Sequence, residues 1–210
     1  MIQKKALIEL VRGRINGEFQ AKQIGKFGDQ KLAYYIGQVY NSALVAVFTR
    51  NLTDFTSYIK EYQSVAISQD AISEVYYSTL PAPIVMIPRK AGSGVMRISG
   101  LTSKTIEFVP MTNGDLQTIE GLEVDDVDDV IGYVFKNGRI EYHGMTTTVA
   151  AGTVKMELVI PFESYSDTDY VQIPTGSNEM IIQGVVNLLM GTPDVDKLNN
   201  GNSVNRNNIR

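Results

Sequence analysis

The chain contains no cysteine and no tryptophan, and His143 is its only histidine. Without cysteine there is no disulfide scaffold, no thiolate zinc site and no cysteine nucleophile, and one imidazole excludes multi-histidine metal centres. A Ser-His-Asp arrangement would have to be built around His143. No apolar run reaches the roughly 18 residues that a membrane-crossing helix needs, so no membrane partner is expected. Lys4 and Lys5 precede a short apolar stretch, but Glu9, Arg12 and Arg14 interrupt any signal-peptide core, and synthesis in the cytosol is the expectation.

What is present is the composition of a folded chain. Its 210 residues, 43% hydrophobic against 20% charged, suffice for one domain with its own core, with or without appendages. The formal net charge of -4 is unevenly spread. Residues 1–31 carry seven Lys/Arg against three Asp/Glu, whereas residues 111–210 carry six against fifteen. A basic beginning and a strongly acidic second half can orient a molecule against its neighbours or against nucleic acid, or can simply be solvated faces.

The first fifty or so residues read as helical. Ile2, Ala6, Leu7, Leu10 and Val11 recur at helical spacing before Gly13 and Gly17 loosen the pattern. Asp29 suits the N-cap of a second helix, in which Leu32, Ile36, Val39, Ala43 and Val47 fall on one stripe, with Tyr35 and Tyr40 beside it, ending near Arg50-Asn51. From Phe55 the period changes to that of strands. The spacing predicts strands over Tyr58–Ile67, Ser73–Thr79, Ile84–Ile87, Val95–Ser99, Thr105–Val109 and Val154–Ile160, with turns at Gln69-Asp70 and Gly92-Ser93-Gly94. Leu80-Pro81-Ala82-Pro83 forces an extended connection. Ile131–Lys136 and Arg139–His143 flank Asn137-Gly138, the pair best suited to a two-residue hairpin turn. A last helix begins at Ser177 or Asn178, presents Met180, Ile181, Val185, Leu188 and Leu189 as its apolar face, and stops at Gly191-Thr192-Pro193. Residues 199–208 hold six asparagines and almost nothing apolar, the composition of a tail that is disordered or orders only against a partner.

The expected fold is therefore α+β, with strands segregated from helices. Its parts are an N-terminal helical segment at 1–52, an antiparallel β-rich core at 53–176, a C-terminal helix at 177–192 packed on that core, and an extended tail at 193–210.

Few residues suggest chemistry. His143 ends a strand, and no nucleophile or orienting acid stands at motif spacing around it, which favours a structural histidine. Gly92-Ser93-Gly94 lacks the Gly-Lys-Ser/Thr of a phosphate-binding loop. Glu120, Glu123, Asp125, Asp126, Asp128 and Asp129 form the densest acidic run, but Val124, Val127 and Val130 interrupt it and the calcium-loop pattern is missing. The run reads as a solvated acidic face, which in a ring-shaped oligomer would line a DNA passage and keep phosphates from sticking. Lys4, Lys5, Arg12, Arg14, Lys22, Lys26 and Lys31 form a basic set with no recognition-helix pattern, as suited to an acidic protein surface as to DNA. Tyr34-Tyr35 and Tyr76-Tyr77 are weak signs of an interface. No catalytic, cofactor-binding or metal-binding residue is assigned.

The order of elements resembles the head-to-tail connector proteins of short-tailed bacteriophages, called adaptor or ring proteins, and most of all those of the crAss-like phages. Three stretches carry the resemblance: the N-terminal helical segment leading into Tyr58–Ile67; the proline-bounded Val75–Pro88; and Leu158–Pro174 followed by the Met180–Met190 helix and Thr192-Pro193-Asp194-Val195-Asp196. The resemblance implies a non-enzymatic virion protein, made in the host cytoplasm, of which about a dozen copies close into a ring through a heterologous interface. Such a ring joins the portal protein and capsid to adjacent tail or ring proteins, and surrounds the exit channel of the genomic DNA. Family members dock extended termini into the portal or the next ring. Here the tail offers only Val204 and Ile209 as apolar anchors, which leaves the Met180–Leu189 helix or strand edges to carry the contact. The alternative is a β-rich virion module that binds a receptor or glycan through aromatic platforms at Tyr76-Tyr77 or Tyr165. A wall-degrading hydrolase using paired carboxylates, with Glu163 as the residue to test, ranks last.

Overall fold

The computed structural model describes residues 1–18, 28–49, 56–88, 94–100, 106–112, 115, 130–145, 149, 152–173 and 178–190. Calls on chemistry at Glu120, Glu123, Asp125, Asp126, Asp128 and Asp129, and on the tail anchors Val204 and Ile209, lie outside the described residues.

The described chain forms an α+β fold and divides into two units. One comprises the described parts of Met1–Leu44 and Tyr165–Arg210, and the other is Val45–Ser164. The last helix is thus grouped with the N-terminal helices rather than with the sheet, unlike the expected order of segments.

In the first unit, helix α1 (Lys4–Glu18) buries Leu7, Ile8, Val11 and Ile15, a stripe repeating every three to four residues. Gly13 and Gly17 lie inside this helix rather than ending it. Ile2, expected to be helical, instead begins strand β1 (Ile2–Gln3), which pairs antiparallel with β10 (Tyr170–Val171). That pairing also supplies what a helix start lacks. The first amides of α1 have no partner within the helix, and the carbonyls of Asp169 and Asp167 accept from Lys4 N and Lys5 N at 3.0 and 3.2 Å. Helix α2 (Asp29–Thr49) buries Leu32, Ile36, Tyr40 and Leu44 within this unit, while Val39 is only half-buried. Asp29 sits in its first turn, and the Gly28 carbonyl accepts from Lys31 N and Leu32 N. Helix α3 (Asn178–Met190) buries Ile181, Ile182, Val185 and Val186. Gly184 allows a close approach to α2, because a Cβ there would lie 2.9 Å from Val39 Cγ1.

The second unit is built on an eight-stranded sheet. Its strands are β2 (Lys60–Ala66), β3 (Ser68–Gln69), β4 (Tyr76–Thr79), β5 (Val95–Gly100), β6 (Glu107–Pro110), β7 (Val130–Lys136), β8 (Arg139–His143) and β9 (Thr153–Leu158). The order is β2-β9-β5-β6-β7-β8-β4-β3, antiparallel throughout except for the parallel pair β6-β7. The two outer strands β2 and β3 are separated only by Ile67. The run Lys60–Gln69 therefore pairs with β9 by its first part and with β4 by its last, which rolls the sheet into a partly closed barrel.

A buried polar chain spans the closure. Tyr142 Oη donates to Ser78 Oγ at 3.0 Å, and Ser78 Oγ donates to the Ala66 carbonyl at 2.8 Å, tying β8, β4 and β2 together. Burial pushes the Tyr142 phenol well above its ordinary range, and the bond to Ser78 offsets only part of this. The interior is filled by Val95, Ile98, Phe108, Ile131, Tyr133, Ile140, Val154, Met156 and Leu158. Phe108 meets Tyr142 edge-to-face, with ring centroids 5.9 Å apart.

The hairpin β7-β8 turns at Asn137-Gly138, with φ of 51° and 76°, as the sequence predicts. Ile84–Ile87, read as a strand, joins no ladder. Val85 N makes one bond to the Val159 carbonyl, and Val85 and Ile87 still point into the core. Pro83 and Pro88 on either side lack the amides that a ladder would need.

Candidate interaction surfaces

Two places in the described chain expose apolar side chains on well-ordered supports. The first is the turn between β3 and β4. Asp70 Oδ1 accepts from Ile72 N and Ser73 N, both at 3.1 Å, forming an Asx turn. Asp70 N donates to the Val75 carbonyl, Glu74 N to the Asp70 carbonyl, and Gln69 Nε2 to the Glu74 carbonyl, all within 3.0 Å. The other carboxylate oxygen of Asp70 pairs with Arg139 at 3.2 Å. The backbone amides of Ser73 and Ile72, with Arg139, hold the Asp70 carboxyl down to about 2. The turn so fixed presents Ile72 at 96% exposure.

Arg139 is the hub beneath it. Its guanidinium lies 4.7 Å from the Tyr77 ring centroid and bonds Glu141 Oε1 at 2.6 Å. Burial pushes the Glu141 carboxyl up, but the bonds and charges of Arg139 and Lys136 outweigh it and leave the group below its usual range. The Arg139 guanidinium is held more firmly protonated by its bonds to Glu141 and Asp70.

The second place is a groove between α1 and α3. It is lined by Leu10, Gly13, Arg14, Gly17, Glu179 and Ile182 and offers about 510 Å³. Ile182 is buried and Leu10 is 47% exposed. A Cβ built on Gly13 or Gly17 would meet nothing within 4 Å, so the absent side chains leave real space. Arg14 and Glu179 form a solvent-exposed pair at 3.3 Å on the rim.

The residues expected to matter distribute as follows. Met180 and Leu188 are exposed, Leu189 is half-buried, and Ile181 and Val185 are wholly buried in this chain's own core and closed to any partner. The face of α3 that packs inward is Ile181-Ile182-Val185-Val186, because the helix is apolar on more than one side and periodicity alone does not choose between them. Lys4 is buried and donates to the Tyr165 carbonyl at 2.6 Å; Arg12 pairs with Asp29. Lys5 and Lys31 are exposed, whereas Lys22 and Lys26 lie outside the described residues. Tyr165 is buried, and one face of the half-buried Tyr77 ring is taken by Arg139. His143 closes β8, and its Nε2 is buried without a hydrogen-bond partner, so among the described residues no hydroxyl is placed to be activated through that nitrogen. Among the described residues no group of three or more His, Asp or Glu is arranged to hold a metal ion, and no helix is long and apolar enough to cross a membrane.

Ile72 and the groove were not singled out from sequence. The signals were an isoleucine inside a turn, outside any alternation, and the Gly13–Gly17 spacing on an otherwise amphipathic helix.

Fold and surfaces together define an α+β chain with a helical unit and a rolled sheet, and the described residues expose apolar side chains at the Ile72 turn and along the α1–α3 groove. No protein-family model matches the chain, and no curated protein matches it either.

Proposed function

We propose that the chain is a virion structural protein, a ring-forming connector that joins the portal and capsid to the tail around the DNA exit channel. The reading assigns it no enzymatic activity and no cofactor, and places it in the virion after synthesis in the host cytoplasm. About a dozen copies are expected by resemblance, closed by a heterologous interface in which one patch of each copy meets a different patch of the next. The adjoining partners are the portal protein on one side and tail or further ring proteins on the other, with genomic DNA passing nearby.

The observation that carries the reading is where apolar surface is exposed. Of the eight large apolar side chains exposed among the described residues, six (Met1, Leu10, Tyr34, Tyr170, Met180 and Leu188) belong to the helical unit. The sheet unit exposes only Ile72 and Met86. Single exposed apolar residues are ordinary, but such a bias toward one unit is what a protein-binding surface produces. The charge distribution along the chain supports the same reading, since a basic beginning and an acidic second half favour head-to-tail neighbours over like-to-like ones.

The test is oligomeric state. Purified protein at high concentration, alone and mixed with portal particles, is followed by light scattering and electron microscopy. Rings, or portal particles bearing an added ring, are the expected result. A chain that stays monomeric and leaves the portal bare overturns the reading.

A further inference from the structure

We draw no further inference here: the strongest candidate, the apolar groove between α1 and α3 lined by Leu10, Gly13, Arg14, Gly17, Glu179 and Ile182, carries nothing because its one cation and one anion, Arg14 and Glu179, already pair with each other and nothing in the structure shows what covers it.

Discussion

Ser78 offers the sharpest test of how the barrel is held closed. Its hydroxyl is fully buried and serves two partners, accepting from Tyr142 Oη and donating to the Ala66 carbonyl. Ser78→Ala removes one net hydrogen bond, worth about 1 kcal/mol, and leaves the Tyr142 hydroxyl without an acceptor, which costs about 1–3 kcal/mol more. The sum is about 2–4 kcal/mol, or roughly 4–16 °C in melting temperature for a chain of this length. Tyr142→Phe is milder, about 0.5–1.5 kcal/mol, because Ser78 keeps its bond to Ala66. The informative protein is the double variant. Once Ser78 is alanine, the Tyr142 hydroxyl is a buried liability, so adding Tyr142→Phe should recover about 1 kcal/mol or more of what Ser78→Ala lost. Urea unfolding monitored by near-ultraviolet tyrosine circular dichroism measures all three. Losses that simply add in the double variant would refute the reasoning, since they would mean that Tyr142 and Ser78 do not share one buried chain.

Four further outcomes are expected. Gly94→Ala should destabilise the sheet unit by about 2–3 kcal/mol, because a Cβ there would lie 2.3 Å from the Val85 carbonyl oxygen, which is backbone and cannot swing aside; a thermal melt measures it. The depressed Asp70 carboxyl contributes stability that is fully present above its unfolded value of about 4 and is lost as pH falls through about 2. The gap in melting temperature between wild type and Asp70→Asn should therefore be widest at neutral pH and close on acidification through that window. Gly138→Ala should cost about 1 kcal/mol in chemical unfolding, since φ at that position is 76°. Arg139→Gln should loosen the Ile72 turn, seen as faster amide hydrogen exchange at Ile72 and Ser73, while exchange in α1 stays as in wild type.

The elements legible in the sequence are those whose causes are local. Asn137-Gly138 specifies its hairpin within two residues. Helix α2 follows from an apolar stripe that runs on for about four turns, and α3 from a helical pattern with turn residues beyond its end. What was missed depends on distant partners. Ile2 has helical spacing to Ala6, yet it pairs with Val171, and nothing near Ile2 signals that strand. The parallel pairing of β6 with β7 and the near-continuity of β2 with β3 are properties of sheet order, to which a period-two pattern is blind. Ile84–Ile87 has the composition of a strand, but its flanking prolines and the single bond from Val85 leave it as a lining segment. In α3 the apolar content was legible and its direction was not. Gly184 was the available clue, since a glycine in a helix interior is disfavoured unless another element comes close, as Val39 does.

The buried polar groups suggest why a chain so short of reactive side chains still orders them with care. The three buried polar or charged residues among those described are Lys4, Ser78 and Glu141. Each satisfies its partners inside the fold. Lys4 bonds the Tyr165 carbonyl, 161 residues away in sequence, and so fixes the start of α1, the helix that forms one wall of the groove. Glu141 holds Arg139, which in turn holds Asp70 and the turn beneath Ile72. Ser78 sits in β4, the strand into which that turn leads, and anchors it across the barrel closure. Burying such groups costs stability unless they are hydrogen-bonded. In this chain those bonds converge on the supports of the two exposed apolar surfaces.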